Sequence, residues 1–377
     1  MAKVHHYTWL PSHERELLLK AALRSDQAGR AAWQEWNGAV DLDQLDPGSQ
    51  RLLPLLYRNL RTQGIDHPWV AEFRKRYLDT WARNRILFGK ISPVLQAFRE
   101  KDLETLTLKG AALTVRYYRD YGLRPMDDFD FLVPLPRVQE AIGLVRTMGW
   151  MPNLRSPDQL LGASIPIVHG LHFRNAEGCG LDLHWHVLHE CLSPEADQDF
   201  WRGAEPLTVG TVPSLGLNPT DELFNTCIHG FHWNAMPPIR WVADAVMILR
   251  TDPAIDWDRM LSQTKRHRMI LPLQDALRYL IDHFDAPVPS EFLHQLTHLT
   301  VSTEEIREYK ARKKHPYTLV FYQWIYYPRI SRDTGRPSGL FGFIKYLQDF
   351  WGLKHIWQVP IAFGWRALLK ILGRPVP

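Results

Sequence analysis

LETLTLKGAALTVRYYRDYGLRPMDDFDFLVP, residues 103–134, changes its hydrophobic period twice, and those changes decide the fold class. LETLTL (103–108) is short, apolar and rich in Thr and Leu, as a buried strand is, and it ends at Lys109-Gly110. AALTVRYYRDYG then reads as a helix closed by Gly122. FDFLVP (129–134) is the next strand, stopped by Pro134, which has no N–H to give a ladder. Strand, glycine, helix, strand is a mixed α and β unit.

Within it, Asp128 and Asp130 are two apart, so on a strand both carboxylates project from one face while Phe129 and Phe131 take the other. Two neighbouring carboxylates repel, and a divalent cation offsets that cost directly. A solvated strand end is the alternative for this pair taken alone. Upstream, Gly110 at the mouth of a helix lets a phosphate approach backbone N–H groups, and Lys109 adds a positive charge there. Taken alone, Lys-Gly is also an ordinary turn.

A third element is LDLHWHV (181–187). Its alternation separates Leu181, Leu183 and Trp185 from Asp182, His184 and His186. Asp182 is a candidate third carboxylate and the base for an attacking hydroxyl. His184 and His186, with His189 or Cys191, leave a zinc site as an alternative, although neither spacing nor count matches a closed zinc site. For His186 and His189 a polar strand edge is the simpler reading.

Outward from this unit, the pattern before residue 100 is helical. In WVAEFRKRYLDTWARNRILFGKISPVLQAFREK, Phe73, Tyr77, Trp81, Ile86 and Leu87 are expected to share a buried stripe, and Asp46-Pro47-Gly48 breaks the run. Downstream, RVQEAIGLVRTMGW is an amphipathic helix. IPIVHGLHFRN and GLDLHWHVL read as an antiparallel pair about a turn at Glu177-Gly178, and 206–216 as a short hairpin. After Pro219 the helical period returns, with Thr220 or Asp221 as the expected cap. The expected organisation is an N-terminal helical region (1–100), an α+β core with a small mixed sheet (101–218), a helical domain (219–315) and an aromatic, basic segment (316–377).

Composition narrows the function classes. The chain of 377 residues has 45 Lys plus Arg against 41 Asp plus Glu, too small a balance to mark a nucleic-acid binder. Three cysteines, none in a CxxC, exclude a disulfide scaffold and point to a reducing compartment. No secretory leader and no run of about 18 apolar residues is visible, so a cytoplasmic protein is expected. The charge is uneven, because 316–377 carry +6 and hold 14 of the 44 aromatics, leaving −2 for the other 315 residues.

The order LKGAALTVRYYRDYGLRPMDDFDFLVP, LDLHW, HGFHWNAMPPIRWVADAVMIL, over about 100–250, resembles the uncharacterised branch of the DNA polymerase β-like nucleotidyltransferase superfamily. The resemblance implies a small mixed-sheet core of that type with helical flanks, and a metal-dependent transfer of a nucleoside monophosphate from an NTP with release of pyrophosphate. Asp128, Asp130 and Asp182 would be the catalytic carboxylates and the ligands of Mg²⁺ (or Mn²⁺). Lys109, Gly110, Arg124, His184, His229, Arg240 and Asp244 would line the nucleotide site. Ala111 stands where the larger superfamily usually has Ser or Gly, so part of the phosphate hold falls to Lys109 and Arg124. The implied acceptor is a small molecule or peptide of a bacterial biosynthetic pathway. RNA ends or protein side chains are an alternative, as is a scaffold that keeps the fold without turnover.

Two parts of the sequence stay open. Arg240 and Asp244, four apart, either pair along one helix face or grip a base or acceptor, and Trp233 and Trp241 either stack on a base or pack in a core. In the C-terminal segment Tyr322, Trp324, Tyr326, Arg329, Phe350, Trp351, Lys354, Trp357, Trp365, Arg366 and Lys370 interleave aromatic and basic groups. Packing onto the protein, a single-stranded nucleic acid and a membrane surface compete there. Of the last two the peripheral membrane contact, through 338–377, is favoured, because GWRALLKILGR is a short amphipathic helix.

Overall fold

The computed structural model describes residues 10–152, 164–231, 239–252, 254–313 and 319–371. The chain begins with α1 (His13–Leu23), α2 (Gln27–Ala39), α3 (Pro47–Gln50), α4 (Leu53–Thr62) and the long α5 (Trp69–Glu100). Asp46 does more than break the run. Its carboxylate accepts from the Gly48 and Ser49 N–H groups, and Pro47 at the first turn has no N–H left to satisfy, so α3 starts there. In α5 the buried face runs through Phe73, Thr80, Asn84, Leu87, Phe88 and Ile91. Trp81 and Ile86, expected on that stripe, are 45% and 56% exposed, because the face advances by three and four from Phe73 through Thr80 to Asn84.

A seven-stranded sheet follows among the described residues, in the order β3-β4-β5-β2-β1-β7-β6. The chain contributes β1 (Leu106–Thr107), α6 (Lys109–Leu113), β2 (Asp128–Leu132), α7 (Val138–Thr147), β3 (Met151–Pro152), β4 (Gly170–Arg174), β5 (Gly180–His184), α8 (Gln198–Arg202), β6 (Glu205–Val209) and β7 (Val212–Gly216). β2 pairs parallel with β5 and antiparallel with β1, β4 pairs antiparallel with β5, and β6 and β7 form the expected hairpin. β1 is shorter than LETLTL suggests. Its hydrogen bonding still reaches Leu108, whose N–H donates to the Asp130 carbonyl, and Thr105, whose carbonyl accepts from Leu215. Beyond α6 the helical turns loosen into a π turn over Thr114–Tyr118 and stop at Arg119, which is left-handed at φ 54°. Gly122 is not the stop. A Cβ there would lie 2.2 Å from the Tyr77 ring, so its small size lets α5 approach.

The rest is helical: α9 (Pro219–Gly230), α10 (Arg240–Thr251), α11 (Trp257–His267), α12 (Ile270–Phe284), α13 (Ser290–Thr297), α14 (Thr303–Lys313), α15 (Leu319–Thr334), α16 (Gly339–Phe350) and α17 (Gln358–Ile371). Asn218, not Thr220 or Asp221, caps α9 by accepting from the Asp221 N–H. The architecture is therefore α+β, with a mixed sheet between helical regions, as the periodicity indicates.

Three apolar cores hold it. One joins the N-terminal helices to α9–α13, so Trp36, Leu56, Phe224, Val242 and Leu277 belong to a single cluster. The second packs the C-terminal half of α5 and α7 on one face of the sheet through Phe98, Phe129, Phe131, Ile142 and Leu183. The third lies in the C-terminal segment, where Tyr322, Tyr326, Tyr327, Phe343 and Tyr346 pack with Ile167 and Leu192. The face of β2 and β5 opposite Phe129, Phe131 and Leu183 stays outside the second core and carries the polar chemistry.

Candidate active site

Pleat geometry and register build the site. Because β2 and β5 are parallel, Asp130 lies opposite Asp182, and because β4 is antiparallel to β5, His172 lies opposite Asp182 on the other side. Asp130, Asp182 and His172 thus form one row across three neighbouring strands, with Asp128 two residues along β2 on the same face.

The row is unevenly compensated. Asp130, 5% exposed, accepts from Lys109 Nζ at 2.8 Å and from His184 Nε2 at 2.9 Å. Burial pushes its carboxyl up, but Lys109 and His184 prevail and hold it below the ordinary carboxylate range. Lys109 is held in the left-handed region at φ 46°, a strained conformation for a lysine, which turns it into the site beneath Asp130. The His184 pKa is lowered by burial and by Lys109, and its Nδ1 has no partner.

Asp128 has no such cation. Burial, then the neighbouring Asp130 and Asp182 carboxylates, push it up to about 6. The Asp182 carboxylate is hydrogen-bonded by His172 Nδ1. That bond raises the His172 pKa against the opposing effect of burial, and His172 Nε2 is buried with no partner.

These groups open into a cavity of about 330 Å³ between the sheet, α9, α10 and the N-terminal region. On its cationic side Arg124 binds Asp244 through Nε at 2.8 Å and Nη2 at 2.9 Å, with both side chains 6% exposed. The Tyr118 hydroxyl donates to the same carboxylate. Arg240 donates to the Pro125 carbonyl at 2.7 Å, and burial together with Arg124 lowers its pKa to about 9. Arg51 reaches the cavity from α3's end and pairs with Asp127. On the far wall α9 lines the cavity with Glu222, Asn225, Thr226 and His229, spaced by three and four along one helix face.

Gly110 is explained by this packing. A Cβ there would sit 2.6 Å from Arg124 Nη1 and 2.9 Å from Met126 Sδ, so only glycine lets the buried guanidinium lie against the first turn of α6.

The structure thus brings Lys109, Gly110, Arg124, Asp128, Asp130, Asp182, His229, Arg240 and Asp244 around one cavity. His184 stands against it through Asp130. In this state Lys109 faces Asp130 and Arg124 faces Asp244, not open space. Of the two alternatives for Arg240 and Asp244, the pair along α10 does not form, because Asp244 is taken by Arg124. Trp241 lines the cavity, while Trp233 lies outside the described residues. The zinc alternative does not assemble: His186 is past the end of β5 and bonds Asp197, His189 packs against His169, and Cys191 contacts Arg329. The residues that escaped the sequence reading include His172, Arg51 and, on α9, Glu222, Asn225 and Thr226. His172 was signalled by the hairpin register about Glu177-Gly178, whereas nothing in the local sequence marks Arg51.

The donors suit a hard divalent cation. Asp128 with Asp182 and His172, and Asp130 with Asp182 and His184, offer ligand atoms within 4.8 Å of one another. The Asp128 carboxyl raised by its neighbours is the charge defect that such an ion relieves.

Residues 48–285 match the family described as an uncharacterised nucleotidyltransferase. That span starts at the turn that carries Arg51. Among solved structures, the solution structure of the antibiotic-resistance factor ANT(2'')-Ia is 13% identical, covering 52% of this chain and 98% of that one with a TM-score of 0.34. No curated protein matches the sequence.

Proposed function

The chain belongs to the uncharacterised nucleotidyltransferase family, and from that premise we propose that it transfers a nucleoside monophosphate from an NTP to a hydroxyl or phosphate of a small-molecule or peptide acceptor. The observation that carries the reading is the row of Asp128, Asp130 and Asp182 on one sheet face, opening into a cavity walled by Arg51, Arg124 and Arg240. Charges of both signs on facing walls are what a triphosphate and its counter-ion require.

Asp128, Asp130 and Asp182 would hold Mg²⁺ or Mn²⁺. When bound, such an ion supplies Lewis-acid polarisation of phosphoryl oxygens and a lower pKa for a coordinated hydroxyl. The remaining steps fall to the chain itself. Arg51 and Arg240 steady the triphosphate, since Arg240 is buried with a carbonyl and no carboxylate of its own. His172 holds Asp182 in the plane where it takes the acceptor's proton. The acceptor oxygen bonds to the α-phosphorus, the bond from that phosphorus to the bridging oxygen breaks, and pyrophosphate leaves.

One observation favours a second reading, a binding protein without turnover: Asp130 is already ion-paired with Lys109 and hydrogen-bonded by His184. Thermal shift with each NTP and Mg²⁺ or Mn²⁺ separates the two. The transferase reading expects a rise in midpoint that disappears in Asp128→Asn, together with pyrophosphate release in the wild type. A rise with no pyrophosphate for any acceptor extract favours the binding protein, and no rise with any NTP overturns the proposal.

A further inference from the structure

A second cavity lies far along the chain from these carboxylates. Among α14, α15 and the start of α16 there is an open, apolar cavity of about 590 Å³, lined by Ala311, Phe321, Trp324, Ile325, Tyr327 and Pro328 among others. It borders the third core, whose Tyr322 and Tyr327, with Ala311 and Ile325 packed against them, form part of its wall. Its volume falls within the range of about 300–1,000 Å³ that holds small ligands.

Its surroundings are amphiphilic. Phe321 and Trp324, which line it, are 58% and 42% exposed. Ser338 and Gly339 close one side, and the next two residues, Leu340 and Phe341, are the most exposed large apolar side chains described, at 66% and 70%. Arg307 and Lys310, both exposed, stand on the rim from α14 and pair with no carboxylate among the described residues. The rim's carboxylate, Glu304, is neutralised by Arg268 and Arg332. An apolar recess with protruding Leu and Phe on one side and unpaired cations on another matches a molecule with an aliphatic chain and an anionic head. No helix among the described residues is long and apolar enough to cross a bilayer, so such contact would be peripheral.

We propose that this cavity receives one acyl chain of an anionic phospholipid, with Leu340 and Phe341 entering the bilayer surface and Arg307 and Lys310 meeting the head groups. Anionic lipid is the occupant because the rim's uncompensated charge is positive, and the 316–377 segment as a whole carries +6. The inference stands independently of the transferase reading, since it uses none of the same residues.

The test is vesicle flotation of the full chain. Phosphatidylcholine vesicles holding about one third phosphatidylglycerol are expected to carry about tenfold more protein than phosphatidylcholine alone, and high salt is expected to remove the difference. Arg307→Glu with Lys310→Glu abolishes the preference, and Leu340→Ser with Phe341→Ser weakens binding to both. These four side chains are exposed, so thermal midpoints close to wild type accompany the loss. Lipid brominated along the acyl chain quenches Trp324 fluorescence, read as the difference from Trp324→Phe, and Ala311→Phe, which fills the cavity, suppresses that quenching while flotation persists. Equal flotation with the two vesicle types, flotation unchanged by the charge reversals, or quenching undiminished by Ala311→Phe each overturns the proposal.

Discussion

His172 and Asp182 are register partners on antiparallel strands, and the imidazole Nδ1 is hydrogen-bonded to the carboxylate Oδ1. The bond fixes which way Asp182 points, and it leaves the second carboxylate oxygen for the cavity. On the proposed function Asp182 is the base, and His172 is then a positioning residue for it. His172→Ala is expected to lower turnover by about 10–100-fold, the usual effect of losing the group that orients a ligand carboxylate. His172→Asn, whose amide nitrogen stands near the place of Nδ1, should recover part of it. Pyrophosphate release under saturating NTP is the measurement. An unchanged rate in His172→Ala, with the protein folded, would mean that the pair is ornamental.

Arg124 and Asp244 bear on stability as much as on binding. The pair is buried and bidentate, so removing one partner strands the other charge. Asp244→Ala should cost about 3–5 kcal/mol. Arg124→Met combined with Asp244→Leu should cost less than Asp244→Ala alone, because no buried charge is left uncompensated. Urea unfolding of the three proteins decides it, and a double variant worse than the single would refute the argument.

How much of this was legible follows from how far each contact reaches along the chain. Period-two alternation was enough to place Asp128 and Asp130 on one face of a strand and Asp182 on the polar face of another, because the neighbouring Phe and Leu residues needed the opposite core, but that the two strands are neighbours is seen only in the fold. The mixed sheet followed from the same changes of period. The partners of those groups were not legible. Arg51 meets Asp127 across 76 residues and Arg124 meets Asp244 across 120, and such contacts are decided by the packing of α5, α9 and α10, not by any local pattern. The same packing explains why Arg124, read as a phosphate ligand, faces Asp244 in this state, whereas Lys109, just after β1, meets Asp130 of the paired strand β2. In the C-terminal segment, interleaved aromatic and basic residues hide two fates. Tyr326 and Phe343 pack in the third core, Arg329 is buried against Glu308, and Phe341 and Trp357 remain exposed.

Gly110 offers a test of that packing at the mouth of the cavity. Alanine there would place a methyl 2.6 Å from Arg124 Nη1, and the guanidinium is anchored by the two bonds from Nε and Nη2 to Asp244, so moving it away strains that pair. Gly110→Ala is expected to destabilise the fold by about 1–3 kcal/mol and to weaken NTP binding. Gly38, where a Cβ meets nothing within 4 Å, is the control. Equal midpoints for Gly110→Ala and Gly38→Ala would show that Arg124 has room to move.

Glu222 sets the pH dependence on the alkaline side. It is 1% exposed, its Oε1 has no hydrogen-bond partner, and burial pushes its carboxyl up to about 8 despite Arg116. Between the ordinary glutamate value of 4.5 and about 8, the folded chain therefore binds a proton that the unfolded chain has released. The stability that Glu222 contributes is fully present below about 4.5 and is lost as pH rises through about 8. His267 acts in the opposite direction. It is stacked on Phe200, and burial drops it to about 3, so stability falls as pH is lowered from 6.5 toward that value. Glu222→Gln should leave the acid limb of a midpoint-against-pH curve in place and flatten the alkaline limb, raising the midpoint at pH near 8 while changing little near pH 4. An alkaline limb as steep in Glu222→Gln as in the wild type would place its cause in another group.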